Sequence, residues 1–355
     1  MKDVRPPTRS RQHPEGTPTL SVLVLTYNHS AYICDCLTSI LQNAIEGMHV
    51  WVLDDGSSDQ TAKLIANMAG QDTRVTLLTQ PNSGGRTAEN TQRLIDESSG
   101  EFIMFMSGDD MLGPSFPIAR SLKALAEDSN LAMILPRLLF LQQEVEQQAS
   151  HIYKTSLASA LCSGDPNQVL EQHLYKEVSR LFLQGVIIRR DVVDAAGGFN
   201  TALLADDYAF MFRLFRHLST ERKHFMFDPR SVWLYRVHTQ NVHQIAARQF
   251  QLILEVVHTF VPPKYWSTFR WDVVAFETID DLAQARQMID SAFSDHVSDR
   301  LIRRMERKTL RRAQRNNDAK LIRAAIRDTK ISIANRSFAI LNLMWLHIRI
   351  RRAHP

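Results

Sequence analysis

Leu20 to Leu25 reads L-S-V-L-V-L, and Tyr27-Asn28-His29-Ser30 follows almost at once. An apolar, β-branched-rich run of this length, stopped by polar residues, predicts a buried strand. Beyond it Ile33, Leu37, Ile40 and Leu41 recur at helical spacing over 31–41, with Asn28 or Ser30 placed to cap the helix. The unit then repeats. His49 to Leu53 (H-V-W-V-L) is a second strand ended by Asp54-Asp55-Gly56-Ser57-Ser58-Asp59, and Thr61 to Met68 is a second helix. Val75 to Leu78 is a third strand, Pro81-Asn82-Ser83-Gly84-Gly85 a loop, and Thr87 to Ile95 a third helix. Glu101 to Met106 (E-F-I-M-F-M) is a fourth strand running into Ser107-Gly108-Asp109-Asp110. This alternation predicts a parallel sheet covered by helices, with crossovers of one hand. Ligands of such sheets sit at the carboxyl ends of the strands. Three of those ends carry carboxylates or glycines here, the first sign of a site.

Further along, the pattern predicts a helix over 116–127, an apolar run over 131–141 and a strand from Phe182 to Ile188. Asp206 to His217 has helical spacing, Ser231 to Val237 (S-V-W-L-Y-R-V) reads as a late strand, and from Ile245 onward the chain reads as helix. Residues 142–180 are polar and show no clear period, and no internal repeat is present.

The chain has 355 residues, 44% hydrophobic and 23% charged, which are globular values and exclude a fibrous or wholly disordered protein. Its formal charge of +4 is too small to imply a nucleic-acid partner. The charge is unevenly spread. Residues 301–355 hold 15 Lys+Arg and 3 Asp+Glu, which leaves 27 against 35 for residues 1–300. Cys34, Cys36 and Cys162 show no disulfide framework and fit a reducing compartment as ordinary thiols. Residues 1–18 lack an apolar core segment and read as a disordered arm rather than a signal peptide. No uninterrupted apolar run reaches the roughly 20 residues of a spanning helix, so a cytoplasmic protein is expected.

Taken one at a time the loops are ambiguous. Asp54-Asp55-Gly56-Ser57 offers acceptor-only carboxylates for a base or a ribose, and it is equally an ordinary turn with a helix cap. Asp109-Asp110 sets two adjacent carboxylates together, which need water, a cation or a basic partner. Hard divalent cations on a diphosphate use one or two carboxylates plus phosphate oxygens. Asn82-Ser83-Gly84-Gly85-Arg86 lets backbone approach a ligand at Gly84 and sets Arg86 against phosphate; its spacing is neither that of a P-loop nor G-x-G-x-x-G.

In series the loops are more specific. V-L-T-Y-N (24–28), L-D-D-G-S (53–57), N-x-G-G (82–85) and S-G-D-D (107–110), each after a strand, resemble family 2 glycosyltransferases. Gly185 to Arg190 leading to Gly197-Gly198-Phe199-Asn200 looks like the family's segment before its catalytic acid. Ala205-Asp206-Asp207-Tyr208 stands where the family has Glu-Asp, and Tyr235-Arg236-Val237-His238 with Asn241 is similar to its Y-R-x-H element. The resemblance implies an α/β, glycosyltransferase A-type fold, that is, a Rossmann-like, mainly parallel central sheet flanked by helices. It implies transfer of a sugar, usually with inversion, from a nucleotide-sugar (a UDP-sugar first) to a glycan or lipid-linked acceptor in surface-polysaccharide or glycolipid synthesis. Thr26 and Asn28 would then lie near the nucleotide and Asp55 would bond the base. Asp109 and Asp110 would serve the ribose and a Mn²⁺ or Mg²⁺ on the diphosphate, His238 would help hold that metal, and Asp207 would be the general base. Three positions depart from the family: Ser107 replaces the first Asp of D-x-D, Asp206 replaces a Glu, and Glu89 replaces an Arg.

The organisation expected is an arm (1–18), a catalytic domain (19–243, with a nucleotide-sugar half 19–113 and an acceptor half 114–243) and a helical, basic C-terminal region (244–355), which lies outside the resemblance. In that region Arg303, Arg304, Arg307, Arg311, Arg312 and Arg315 make a basic helix, and an apolar, Trp345-containing segment precedes Arg349, Arg351 and Arg352. Such a tail either packs on the body with a solvated basic face or makes peripheral contact with an anionic membrane through 300–355. Two other functions compete: a nucleotidyltransferase, which would want a glycine-rich basic loop where T-Y-N-H stands, and a non-catalytic scaffold that kept the fold.

Overall fold

The computed structural model describes residues 20–142, 145–147, 155–177, 181–203, 207–238, 246–270, 279–328, 331, 334–335 and 337–341. The expected arm, Asp206, Asn241 and the Trp345 segment fall outside the described residues. The chain divides into two compact units, one of residues 1–172 with 180–238 and one of residues 173–179 with 239–355.

Among the described residues the first unit holds a nine-stranded sheet in the order β3-β2-β1-β4-β8-β6-β9-β5, with β7 paired to β6. Its opening half follows the sequence pattern: β1 (Leu20–Thr26), α1 (Ile33–Leu41), β2 (Met48–Asp54), α2 (Thr61–Ala69), β3 (Val75–Thr79), α3 (Thr87–Glu97) and β4 (Phe102–Ser107). β1 pairs in parallel with both β2 and β4, and β2 with β3. A strand covered on both faces cannot alternate in polarity, which is why β1 and β4 are nearly continuous apolar runs. Ile33, Cys36, Leu37 and Ile40 of α1 are each fully buried. Burial of that kind is worth about 1.5–3 kcal/mol for each large side chain. Neither Asn28 nor Ser30 caps α1; the helix starts after Tyr32 with no side-chain cap.

The second half is mixed. β5 (Met111–Leu112), α4 (Ile118–Glu127), β6 (Leu131–Gln142) and β7 (Val145–Gln147) come first. The stretch without a clear period holds α5 (Thr155–Ser163), α6 (Pro166–Val169) and a π-helical turn, Leu170–Leu174. α6 begins at a proline and is capped by Asp165, which accepts from the Asn167 N–H. β8 (Ile187–Arg189), α7 (Arg190–Ala195), α8 (Asp207–Thr220) and β9 (His224–Arg236) complete the unit. β8 runs antiparallel to β4 and β6, while β6 and β9 are parallel.

Two strands differ from the sequence pattern. The strand read over 182–188 is only three residues long, because Gly185 has φ +74 and turns the chain. Gln184 bridges Phe105 in parallel, and two residues past the turn Ile187 pairs antiparallel with Met104. β9 starts seven residues earlier than Ser231. Its register against β6 slips between Pro136 and Arg137, so 229–231 bulge out, and the buried Asp228 carboxylate holds the bulge by accepting from the Arg230 N–H (3.1 Å), Ser231 Oγ (3.2 Å) and Arg120. Polar residues at a bulge hide a strand from period counting.

The second unit is helical, as expected: α9 (Ala246–Phe260), α10 (Pro263–Trp266), α11 (Ile279–Ala292), α12 (Asp295–Arg315) and α13 (Ala319–Arg327). Phe250, Ile289, Leu301 and Ile322 are fully buried in it. A charged pair, Arg286 and Glu306, lies inside this core, and Asn335 donates to Glu306 at 2.7 Å. Among the described residues no helix is long and apolar enough to cross a membrane.

Candidate active site

The carboxyl ends of β1, β2 and β4 lie side by side in the sheet, so the loops that leave them meet. Asn28 takes φ +55, and its Oδ1 accepts from the Ser58 N–H at 2.8 Å while its own N–H donates to Ser57 Oγ at 2.8 Å. The Ser30 N–H donates to Asp59 at 3.1 Å. The two residues read as caps therefore tie the first loop to the second. Asp59 also accepts from the Thr61 N–H (2.9 Å) at the start of α2. Its partial burial acts to raise its pKa, but the hydrogen bonds from Thr61 and Ser30 prevail and hold it down to about 2.

Asp55 sits at the bottom of this crossing, 5% exposed. Its Oδ1 accepts from Gln80 Nε2 (2.7 Å) and the Ser83 N–H (2.9 Å), and its Oδ2 accepts from Ser83 Oγ (2.7 Å). Gln80 Nε2 also donates to Asn90 Oδ1 (2.7 Å), Asn90 Nδ2 donates to Ser83 Oγ (3.1 Å), and Arg93 donates to Gln80 Oε1 (2.7 Å). Gly56 makes the turn beside it: φ is +72, and a Cβ there would lie 2.4 Å from the Asn82 nitrogen. The space beside Gly84 is open. Arg86 is exposed and pairs with Glu89 at 3.2 Å, so the Glu that departs from the family pattern engages the cation read as a phosphate ligand.

At the end of β4 the two adjacent acids part company. Asp109 faces two histidines, with Oδ2 3.0 Å from His238 Nε2 and 3.8 Å from His29 Nε2. Burial acts to raise the Asp109 carboxyl, but the His238 hydrogen bond, the His29 charge and a short hydrogen bond from Ser107 Oγ together hold it below the usual carboxylate range. Ser107, where the family has an acid, thus supplies a donor to Asp109. Burial lowers His29, against the pull of Asp109. Thr26 Oγ1, itself buried, lies 3.2 Å from His29 Nδ1.

Asp110 is different. It is 1% exposed, and its oxygens accept from Trp233 Nε1 (3.1 Å) and the Arg236 N–H (3.0 Å). Burial first, and the Asp109 charge second, push its carboxyl well above the ordinary range. The sequence set Asp110 beside Asp109 as a metal ligand; in the fold its oxygens hold β9 against the β4–β5 corner. Arg236 adds to that joint, with Nε on the Asp109 carbonyl (3.1 Å), Nη2 on Asp35 (3.2 Å) and its guanidinium over the Tyr32 ring. The Tyr32 ring lies 4.9 Å from that of His238 and steadies it. Cys36 packs beneath, its thiol 3.4 Å from the Ser107 carbonyl and kept protonated by burial and by the two nearby acids. All three cysteines are free thiols.

Asp207 opens α8. Burial raises the Tyr235 hydroxyl, and so do the charges of Asp110, Asp109 and Asp207, which brings the three acids within electrostatic reach of one phenol. Sequence reasoning assigned no part to His29, Gln80, Arg93 or Trp233. His29 lies inside the quoted T-Y-N-H loop and was within reach of it; the others contact site residues only through the fold.

Asp109 and His238 are the residues that could hold a divalent cation, since Asp109 Oδ2 and His238 Nε2 lie 3.0 Å apart. Among the described residues no group of three or more His, Cys, Asp or Glu side chains is placed to hold a metal ion by itself. The remaining positions would therefore fall to phosphate oxygens and water.

The model of the family described as glycosyl transferase family 2 matches residues 21–197. The Bacillus subtilis putative glycosyltransferase EpsH is 29% identical over 117 residues, which are 33% of this chain and 33% of that protein. The hyaluronan synthase of Pasteurella multocida is 30% identical over 122 residues, 34% of this chain and 12% of that one. A Campylobacter jejuni GalNAc(5)-diNAcBac-PP-undecaprenol beta-1,3-glucosyltransferase is 32% identical over 95 residues, 27% of this chain and 31% of that one. The matched stretch thus spans a third or less of these curated relatives. Among solved structures, S. aureus TarS 1–349 in complex with UDP aligns over 95% of this chain and 92% of its own, with a TM-score of 0.51 and 14% identity, a likeness of fold.

Proposed function

We propose that this chain, which belongs to glycosyl transferase family 2 and has an A-type fold, is an enzyme that moves a sugar, with inversion, from a nucleoside-diphosphate sugar to an acceptor hydroxyl. The observation that supports this reading is the donor-ringed Asp55 and the Asp109–His238 pair at neighbouring strand ends, with Asp207, like Asp109, acting electrostatically on Tyr235. Asp55 accepts from the base, with Ser83 and Gln80 fixing its orientation. Thr26, Asn28 and Gly84 line the nucleotide's approach. Asp109 and His238 would hold Mn²⁺ or Mg²⁺, which when bound neutralises charge on the diphosphate. Asp207 takes the proton of the acceptor hydroxyl as its oxygen bonds the anomeric carbon from the face opposite the departing diphosphate. The C–O bond to the diphosphate breaks, and the leaving group carries away its electron pair.

A UDP-sugar is the first donor to try, and a glycan or lipid-linked hydroxyl in surface-polysaccharide or glycolipid synthesis the first acceptor. Peripheral contact with the inner face of the cytoplasmic membrane would bring such an acceptor close. The test is a thermal-shift screen of the purified chain against nucleotide-sugars with Mn²⁺, followed by transfer assays of Asp207→Asn. One donor should stabilise the protein, and the variant should bind it while losing about 10²–10⁴-fold in rate. Full transfer by Asp207→Asn would remove the base assignment, and no shift with any donor would remove the reading as a whole.

A further inference from the structure

Arg300, Arg303, Arg304 and Arg307 of α12 line a concavity of about 380 Å³, together with Asp299, Ala334 and Asn335. At intervals of three, four and seven residues they share one face of the helix. The opposite face is the buried one, carrying Met305, Glu306 and Thr309. Four guanidiniums so close repel one another, and packing does not explain them, since all four residues are exposed. Their local partners leave most of the charge unspent. Arg303 reaches Asp299 at 3.1 Å, between side chains 62% and 70% exposed, a pair that water screens. Arg304 donates to the Thr268 and Phe269 carbonyls (3.3 and 3.1 Å), which are neutral acceptors. Arg307 lies over the Phe338 ring.

Ile340 is 45% exposed and Leu341 64%, and they stand two and three residues beyond Phe338, whose ring Arg307 covers. Guanidinium forks match phosphate oxygens in geometry and charge. Exposed aliphatic side chains next to such a cluster are a cost in water and a gain in the acyl boundary of a bilayer. A free phosphate ion would use the first feature and not the second.

We propose that this concavity is a binding site for the phosphate headgroup of an anionic phospholipid, with Ile340 and Leu341 dipping beside it into the membrane interface. The site deepens the peripheral-membrane part of the proposed function and rests on it, while donor binding does not depend on it.

The experiment is co-sedimentation of the full chain with vesicles of phosphatidylcholine alone or mixed with phosphatidylglycerol, with donor binding measured in parallel by thermal shift. The chain should bind only the anionic vesicles. Replacing Arg300 and Arg303 together by Ala should weaken that partition roughly 30-fold, at about the strength of attraction usual for each basic residue at such a surface. Arg300→Lys with Arg303→Lys should keep most of it, and Leu341→Ser should weaken it without altering the lipid preference. Sodium pyrophosphate at millimolar concentration should displace little protein. Equal partition by the double Ala variant, or no binding to anionic vesicles, overturns the site. Pyrophosphate binding that the double Ala variant loses, without vesicle binding, makes it a free-anion pocket and overturns the lipid assignment. Either failure, with donor binding intact, leaves the catalytic reading standing.

Discussion

Asp109 and Asp110 are neighbours in sequence, and the structure gives them opposite work, so replacing each by Asn separates the two. In Asp110→Asn one side-chain oxygen still accepts, but an NH₂ group replaces the other. Either Trp233 Nε1–H or the Arg236 N–H, now 3.1 and 3.0 Å from carboxylate oxygens, then faces a donor. One hydrogen bond is lost and a buried donor is orphaned, at about 1–3 kcal/mol. Relief of the crowding with the Asp109 charge offsets part of this, leaving roughly 1–2 kcal/mol. At about 2–4 °C per kcal/mol for a unit of this size, Tm should fall by roughly 2–8 °C without metal or donor. Asp109→Asn should leave Tm of the unliganded protein nearly unchanged. It exchanges the anionic oxygen for a neutral amide, so the Mn²⁺-dependent shift given by a donor should vanish and transfer should fall at least about 10²-fold. The assay is differential scanning fluorimetry of both variants with and without Mn²⁺ and the donor, followed by rates. If Asp110→Asn kept its Tm and lost the Mn²⁺-dependent shift as Asp109→Asn does, the division of labour drawn from these contacts would be wrong.

Asp55→Ala should weaken donor affinity about 10–100-fold, the worth of a hydrogen bond to a charged group, and titration of the free nucleoside diphosphate should show the same loss. Asp59 supplies a pH signature. Its folded pKa is depressed, so its stabilisation is complete above the unfolded value near 4 and is lost as pH falls towards about 2. Denaturant melts across that window should flatten in Asp59→Asn by roughly 1–2 kcal/mol, allowing for its partial exposure; an unchanged slope would deny it that role. Gly56→Ala combines a left-handed backbone with a Cβ 2.4 Å from the Asn82 nitrogen, so it should cost about 2–4 kcal/mol in stability and displace the loop that holds Asp55.

The alternation of runs and polar breaks from Leu20 to Asp110 was enough to place four strands, three helices and the loops between them, because buried parallel strands cannot hide their apolar character. It also placed Asp55 and Asp109 at strand ends. Local pattern failed where a distant segment decides the geometry. The slip of β9 at Asp228 and the turn at Gly185 each interrupt a period that continues in space. Asn28 and Ser30 look like caps by position, yet they bond the neighbouring strand's loop, since side-chain acceptors take whichever N–H the fold delivers.

By itself the sequence determined the family, the sheet's first half and the chemical type of the site, because these depend on residue kind and spacing along one chain. Tertiary structure decided which groups each side chain meets. Trp233 and Arg236, far downstream, engage Asp110, and His238 engages Asp109; Gln80, Ser83 and Asn90 set the orientation of Asp55; and four arginines of α12 line one concavity. Which way a carboxylate points depends on which donors reach it, and those donors are brought together only by folding.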